Sequence, residues 1–308
     1  MPPADASLNQ PGATGETGLH EAGIDWAARD RYRMLSVTFN VFIEDPAMAR
    51  SIRWLLEPFR VPFGDATYSV EISALERDGG TERPLYRCLI GGKARVESWD
   101  GRDLVTAALQ GMYELIPQVT RDFLLVHSGA AVRDGAALLL PGYPRSGKSS
   151  TTLELVRTGG FGYLSDELGA IDPVTSRAYP FERAIGVEEG ALPLFPGLEP
   201  LLVDRTEMPV WLARRFVRPQ DLGARTARPA EVRWIVLPTR DWDGPPRLTP
   251  ISSGDAVEEM ARNAFNLDVY GDRGVHLLER VARTASAFRL AGGTPGERAE
   301  LLADWLAL

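Results

Sequence analysis

The sequence predicts an α/β (α+β) protein, in which a small N-terminal α+β region precedes a larger domain built around a glycine-rich loop. Residues 34–43 alternate apolar and polar side chains, which is typical of a half-buried strand. Residues 136–140 form a continuous apolar run, which is typical of a strand buried on both faces. This run leads through glycines into a segment of helical periodicity, so a strand–loop–helix unit is expected there.

Composition narrows the class of protein. Hydrophobic residues make up 44% of the chain and charged residues 25%, as in ordinary globular proteins. The net charge of −8 disfavours non-specific binding to nucleic acid or to an anionic membrane. Cys88 is the single cysteine, which excludes an intrachain disulfide. No apolar stretch reaches about 18 residues, and the first basic residue is Arg29, so we expect a cytoplasmic protein without a signal peptide.

The N-terminal part divides into two predicted units. Residues 1–29 are rich in Gly, Pro, Ala and Glu and are predicted to be a disordered tail. Residues 30–121 are predicted to be the small α+β region. Its expected elements are a strand at 34–43, a helix opened by Asp45-Pro46, strands at 67–73 and 85–90, and a helix at 104–116.

Residues 122–308 are predicted to form the second domain. The expected strands lie at 123–127, 130–133, 136–140, 161–164, 168–171, 177–181, 233–237, 247–251 and 285–290. Helices are expected at 149–157, at 254–265 and after Thr294, where Glu297 completes a capping box. The turn signals are Asp134-Gly135, Gly159-Gly160 and Asp172-Pro173. Residues 188–230 are rich in proline and arginine and give no clear pattern.

The loop after the apolar strand fits the pattern G-x-x-x-x-G-K-[ST]. Glycines allow backbone N–H groups to surround phosphates, and the following helix adds its positive N-terminal end. Lys148 is expected to reach the β- and γ-phosphates of ATP, and the Ser149 hydroxyl to bind Mg²⁺. The predicted nucleotide-binding residues are Gly142, Tyr143, Pro144, Arg145, Ser146, Gly147, Lys148, Ser149 and Ser150.

The choice of lysine in this loop supports the prediction. Lys93 and Lys148 are the two lysines among 34 basic residues, so arginine is the usual cation of this chain. A compact ammonium suits a phosphate pocket that a planar guanidinium does not fit.

Two adjacent carboxylates follow the loop closely. Asp166 lies 17 residues after Ser149, which leaves room for one helix and one strand. Asp166 and Glu167 are therefore expected at the end of a strand near the strand that precedes the loop. Beside a magnesium triphosphate, one carboxylate can bind the metal and the other can accept a proton from an attacking hydroxyl. We predict Asp166, Glu167 and Lys148 as catalytic, and Ser149, Asp166 and Glu167 as metal ligands.

These motifs together resemble the catalytic domain of the HPr kinase/phosphorylase family, and most closely its HPr-kinase-related serine kinases. The ordered signature is His127, the glycine-rich loop, Asp166-Glu167 and the segment Glu182-Arg183-Ala184-Ile185-Gly186. The short distance between the loop and the acids is its most specific element. The resemblance covers residues 122–300 and not residues 30–121.

The resemblance implies a P-loop kinase domain of the HPr kinase/PEP carboxykinase type that phosphorylates serine in a protein or peptide. A peptide encoded nearby in the genome is a candidate acceptor. It adds His127 to the catalytic residues, beside the base. Two departures are visible: the second acid is Glu167 where the family has Asp, and the segment around Arg183 lacks the family's first glycine. That segment serves the reverse reaction in the family, so we do not expect phosphorylase activity.

Other functions are compatible with the same residues. A kinase of a small hydroxylated metabolite would use the same loop and acids, and a nucleotide-binding regulatory module would bind without transfer. Six arginines favour an open face for an acidic peptide, or else belong to an ordinary solvated loop: Arg205, Arg214, Arg215, Arg218, Arg225 and Arg228. A homo-oligomer is compatible with the sequence, whereas nucleic-acid and membrane partners are not expected.

Overall fold

The computed structural model describes residues 24–75, 84–224 and 227–306 of the chain. They form a mixed α/β fold with two mixed β-sheets and a small two-stranded sheet. This confirms the predicted α/β (α+β) class. Most of the predicted tail lies outside the described residues. Its last two residues, Ala28 and Arg29, belong to the first strand.

The N-terminal region is a six-stranded sheet in the order β3-β1-β2-β4-β5-β6, covered by two helices that contact each other. Strands β2 and β4 are parallel, and the other neighbours are antiparallel. The elements are β1 (Ala28–Met34), β2 (Val37–Ile43), α1 (Pro46–Leu56), β3 (Arg60–Val61), β4 (Tyr68–Ala74), β5 (Tyr86–Ile90), β6 (Lys93–Ser98) and α2 (Gly101–Val119).

The local sequence explains why helix α1 was predicted correctly and the strand at 34–43 was not. Asp45 caps α1, because its carboxylate accepts hydrogen bonds from the amides of Ala47 and Met48. The strand predicted at 34–43 is wrong as one element, because the chain turns at Leu35, whose φ is +55°. Leu35 continues the apolar alternation and so hides the turn from the sequence pattern.

The second region is built on an eight-stranded sheet in the order β11-β10-β7-β8-β14-β16-β15, with β9 paired to β7. Strands β8 and β16 run parallel to β14, and β7 runs antiparallel to β8. The strands are β7 (Leu124–Arg133), β8 (Ala136–Pro141), β9 (Gly162–Ser165), β10 (Leu168–Ile171), β11 (Arg177–Tyr179), β12 (Ile185–Glu188), β13 (Arg214–Val217), β14 (Ala230–Pro238), β15 (Arg247–Pro250) and β16 (Ser286–Ala291).

Helices cover both faces of this sheet. They are α3 (Lys148–Arg157), α4 (Ser253–Arg262), α5 (Leu267–Tyr270), α6 (Asp272–Thr284) and α7 (Pro295–Trp305). Helices α3 and α7 pack together over one apolar cluster, while α4 and α6 pack over another. No helix in the three described segments is long and apolar enough to cross a bilayer.

The acidic pair lies between two short strands, β9 and β10, directly after the last residue of β9. Strands β9 and β10 pair with the same edge of β7, and the amide of Ser128 donates to the carbonyl of Glu167 at 3.1 Å. On its other edge, Ser128 pairs with Pro141, the last residue of β8. The acids therefore follow the end of β9, as expected, and lie level with the end of β8, with β7 between the two strands.

The N-terminal region packs directly on the segment that follows β11. Leu125, Leu168 and Phe181 share one apolar cluster with the N-terminal sheet and helices. The ring of Phe181 lies 5.0 Å from that of Phe59. This packing places α2 beside the acidic pair.

Close packing at Gly129 of β7 allows α3 to lie close to the sheet. A Cβ at this position would lie 2.3 Å from Oγ1 of Thr152, a buried hydroxyl without a hydrogen-bond partner among the described residues. We therefore expect Gly129→Ala to lower the free energy of unfolding by about 1–3 kcal/mol through overpacking. The measurement is urea denaturation.

The double variants provide the matched control. Thr152→Ala removes the clashing atom, so Gly129→Ala/Thr152→Ala should be more stable than Gly129→Ala/Thr152→Val, which keeps an atom in that place. Equal stability of the two double variants would show that the contact with Thr152 does not hold α3.

Candidate functional site

The glycine-rich loop joins β8 to α3, as the sequence predicted. Gly147 has φ +93°, and a Cβ there would lie 2.3 Å from Cη2 of Trp242, so the position requires glycine. Lys148 begins α3 and is 5% exposed. Its ammonium donates to the carbonyls of Gly142 and Tyr143 at 2.6 and 2.9 Å. The lysine is therefore held above the loop by the loop's own backbone.

A buried arginine fixes the loop from below. Arg298 of α7 is fully buried, and its guanidinium donates to the carbonyl of Ser146 at 3.2 Å and to that of Gly292 at 2.7 Å. It also lies over the ring of Trp242, with 3.8 Å from Cζ to the ring centroid. Burial lowers the pKa of Arg298 to about 10, and it remains charged at neutral pH. Helix α7 is thereby tied to the loop.

A cleft of ≈ 770 Å³ opens over the loop. Of the residues predicted from sequence, it is lined by His127, Pro144, Arg145, Gly147, Lys148, Ser149, Ser150 and Glu167. Gly142 and Tyr143 contribute their carbonyls to Lys148, and Ser146 is buried in the loop. The cleft therefore brings together the lysine, the serine hydroxyl, one carboxylate and the histidine.

Asp166 does not line this cleft. Its carboxylate is 2% exposed and accepts hydrogen bonds from Tyr163 Oη at 2.8 Å and from Arg183 Nε at 2.9 Å. Burial alone would raise the pKa of Asp166, but the charge of Arg183 and these hydrogen bonds outweigh it, so the pKa is lowered. Ser149 donates its hydroxyl to the backbone carbonyl of Asp166 at 3.3 Å. Asp166 is thus an ionised, fully paired group beneath the cleft.

Glu167 is the carboxylate that reaches the cleft. Its side chain is 38% exposed, and Arg183 Nη2 donates to Oε2 at 3.0 Å. Oε1 lies 3.5 Å from Nε2 of His127. Burial, with the charges of Lys148 and Arg183, lowers the pKa of His127 to about 4, so the ring is neutral at neutral pH. The histidine therefore contacts Glu167 as a neutral imidazole and not as an ion-pair partner.

Arg183 connects the two acids to the N-terminal region. It pairs with Asp166 and Glu167, and its guanidinium lies 5.4 Å from the ring centroid of Tyr113 on α2. Burial raises the pKa of Tyr113, so its phenol stays neutral. Its side chain is 15% exposed, and both carboxylates accept its hydrogen bonds.

Three of the six arginines in residues 188–230 stack on tryptophan rings. Arg205 and Arg215 lie 5.0 and 4.6 Å from the ring of Trp211. Arg218 lies 4.5 Å from the ring of Trp54 and donates to its carbonyl at 3.2 Å. Arg214 pairs with the carboxylate of Glu188, Arg228 is exposed, and Arg225 lies outside the described residues. Of the three that stack, Arg205 is exposed, and Arg215 and Arg218 are part-buried.

A magnesium nucleotide fits the residues of the cleft. Within the described part of the chain, no group of three or more His, Cys, Asp or Glu side chains could hold a metal ion. Mg²⁺ commonly needs only one or two protein oxygens when phosphates supply others. Ser149 and Glu167 offer a hydroxyl and a carboxylate in the cleft, and the buried hydroxyl of Ser146 lacks a partner among the described residues. The predicted ligand Asp166 presents its carboxylate to Tyr163 and Arg183 instead.

Comparison with known proteins assigns the chain to no family. No family model matches the chain, and no curated protein is significantly similar to it in sequence. The resemblance to the HPr kinase family therefore stays a prediction that rests on the loop, the acidic pair and His127.

Sequence reasoning missed several residues around the cleft. Arg298 and Trp242 lie far from the loop in sequence, and no local pattern distinguishes them from other arginines and tryptophans. Tyr163 lies three residues before Asp166, but only the folded structure shows that its hydroxyl donates to the carboxylate of Asp166. Tyr113 belongs to a helix of the other region. These contacts depend on tertiary structure.

Removing the guanidinium of Arg183 should destabilise the folded protein, because the buried carboxylate of Asp166 needs a charged partner. We expect Arg183→Met to lower the free energy of unfolding by about 3 kcal/mol at pH 8, because a buried carboxylate loses its charged partner. The loss should shrink on acidification. In the wild type the lowered pKa keeps Asp166 ionised, whereas in the variant burial raises that pKa and the group takes up a proton.

Urea denaturation at pH 5 and pH 8 measures both effects. The exposed pair of Arg233 and Glu231 provides the control, and Arg233→Met should cost less than about 1 kcal/mol at either pH. A pH-independent loss in Arg183→Met would argue that Asp166 is not the group that Arg183 stabilises.

Proposed function

We propose that the chain is an ATP- and Mg²⁺-dependent kinase of the HPr kinase-like P-loop type, which transfers the γ-phosphate to a serine hydroxyl of a protein or peptide. The observation that carries the proposal is the shared cleft of Lys148, Ser149 and Glu167. A phosphate-binding loop and a partly exposed carboxylate in one cleft are the groups that phosphoryl transfer to a hydroxyl needs.

The two acids have different roles in this proposal. Glu167 is the base, because its carboxylate lines the cleft, while Arg183 and His127 hold it on two sides. Asp166 keeps Arg183 in place and is not the base, because both of its oxygens accept hydrogen bonds from Tyr163 or Arg183. Ser149 would bind Mg²⁺, which when present neutralises charge on the phosphates.

The transfer step balances with these groups. The serine oxygen of the acceptor forms a bond to the γ-phosphorus, and the bond from that phosphorus to the β–γ bridging oxygen breaks, releasing ADP. The hydroxyl proton passes to the carboxylate of Glu167. The ammonium of Lys148 stabilises the negative charge on the phosphates as the bond breaks. The products are a phosphoserine and ADP.

Two other functions would give different results from a peptide kinase. A kinase of a small hydroxylated metabolite would phosphorylate a compound in a metabolite screen but no peptide. A regulatory module would bind ATP tightly without transfer to either class. We favour transfer because Arg183 and His127 hold the carboxylate of Glu167 on two sides within the cleft of the loop.

Substitution of each acid tests the assignment of the base. We expect Glu167→Gln to lower kcat by about 10²–10⁴-fold while the Kd for ATP stays within about threefold, because the amide cannot accept the proton. Phosphate transfer to peptides encoded nearby in the genome, read by mass spectrometry, is the measurement. Glu300→Gln, on the exposed surface of α7, is the control and should be fully active.

Equal transfer by the wild type and Glu167→Gln would remove Glu167 from the mechanism. Asp166→Asn should also lose activity, but through a weakened fold around Arg183, so its unfolding midpoint should fall together with kcat. A fully stable Asp166→Asn variant without activity would reverse the roles of the two acids.

The affinity for ATP should depend on pH through Lys148. Burial lowers the pKa of Lys148 to about 8, although Glu167 and Asp166 act in the opposite direction. Bound phosphates favour the ammonium, so binding above pH 8 requires proton uptake, and affinity should fall by up to about tenfold per pH unit there. Isothermal titration calorimetry between pH 7 and 9.5 measures this. Lys148→Met should bind more weakly and without this slope; a wild-type affinity that is flat over this range would contradict it.

A further inference from the structure

A second cleft of ≈ 820 Å³ lies between α2 and the segment that leads into β13. We call it the α2 groove. One wall is the face of α2 from Thr106 to Gln118, and the opposite wall includes Leu212, Phe216 and Phe265. Phe265 is 44% exposed, which is unusual for a large apolar side chain. The groove therefore presents apolar surface that the described chain leaves open.

The α2 groove meets the cleft over the loop at the proposed base. Glu167, Gly186 and Arg214 line both cavities. The ring of Phe265, in the groove, lies 5.4 Å from that of His127, in the other cleft. A molecule in the groove can thus bring a hydroxyl to Glu167 without entering the space over the loop.

The shape of the groove fits an extended chain. Its α2 wall includes Thr106, Gln110, Tyr113 and Pro117, which recur at helical spacing on one face. From Thr106 to Gln118 the helix rises by about 18 Å, at about 1.5 Å per residue. An extended peptide covers this distance with about five residues, at about 3.3–3.6 Å each. A compact metabolite would leave most of the length unused.

The charges along the groove are already paired. Arg183 contacts both Asp166 and Glu167, Arg214 pairs with Glu188, and Glu114 lies 3.4 Å from Arg95. The groove therefore offers no row of unpaired cations to an acidic peptide. Its apolar wall instead favours apolar side chains.

We propose that the α2 groove binds the acceptor as an extended peptide of about five residues, with apolar side chains next to the serine that reaches Glu167. This inference rests on the proposed kinase function and adds the acceptor's chemistry to it. The N-terminal region then acts as the acceptor-binding part of the kinase, through α2.

A positional-scanning library of nonapeptides with a central serine tests the proposal. With ATP and Mg²⁺, the wild type should select apolar residues next to the serine. Thr106→Trp and Gln110→Trp place bulk in the groove, and each should raise the KM for the best peptide more than tenfold while leaving the Kd for ATP unchanged. Thr106 and Gln110 are part-exposed or exposed, so both variants should fold. The control is Arg283→Trp, at an exposed position of α6 away from both cavities.

Each outcome decides between the two proposals. If the wild type phosphorylates peptides but the two groove variants match Arg283→Trp, the groove does not bind the acceptor and the kinase function stands. Selection of acidic residues next to the serine would also overturn the groove proposal alone. If no library peptide is phosphorylated although ATP binds, the peptide-kinase function fails and the groove proposal with it. A change of oligomeric state in Gln110→Trp would identify the groove as an interface between copies instead.

Discussion

The contact between Arg183 and the two adjacent acids is the interaction on which the rest of the site depends. Without it, Asp166 would be a buried charge with only a phenol as partner, and Glu167 would lose the donor that holds its exposed end. The guanidinium also lies against Tyr113 of α2. One side chain therefore joins the acids, the second region and the N-terminal region, and the position of each constrains the others.

The loop is held by a separate set of contacts from the far end of the chain. Arg298 of α7 donates to the loop at Ser146, and Trp242 packs so closely on Gly147 that a Cβ would not fit. The loop's shape is therefore set by α7 and by the segment after β14, while the acids are set by Arg183 and α2. The proposed phosphate-binding loop and the proposed acceptor groove thus have different structural supports.

Sequence patterns were reliable where the determining contacts are local. The strand–loop–helix unit and the capping boxes at Ser252 and Thr294 depend on neighbouring residues, and the sequence showed the unit and the second box. Helix α6 was missed although its apolar face is regular, because neither Gly271 nor its first residues give a capping signal. The contacts of Arg183 could not be predicted either, since its partners are Tyr113 of α2 and the two acids that follow β9. Among 34 basic residues, only tertiary contacts distinguish it.

The HPr kinase family, which the motifs resemble, has an aspartate at the position that corresponds to Glu167. A longer side chain usually costs precision, because each added torsion must be fixed before a proton can be transferred. Here Arg183 holds one carboxylate oxygen at 3.0 Å, and His127 lies 3.5 Å from the other. The neighbouring Asp166 pairs with Arg183 and Tyr163 beneath the cleft. One arginine therefore pairs with a buried acid and with a cleft-facing acid at once, an arrangement compatible with the proposed transfer.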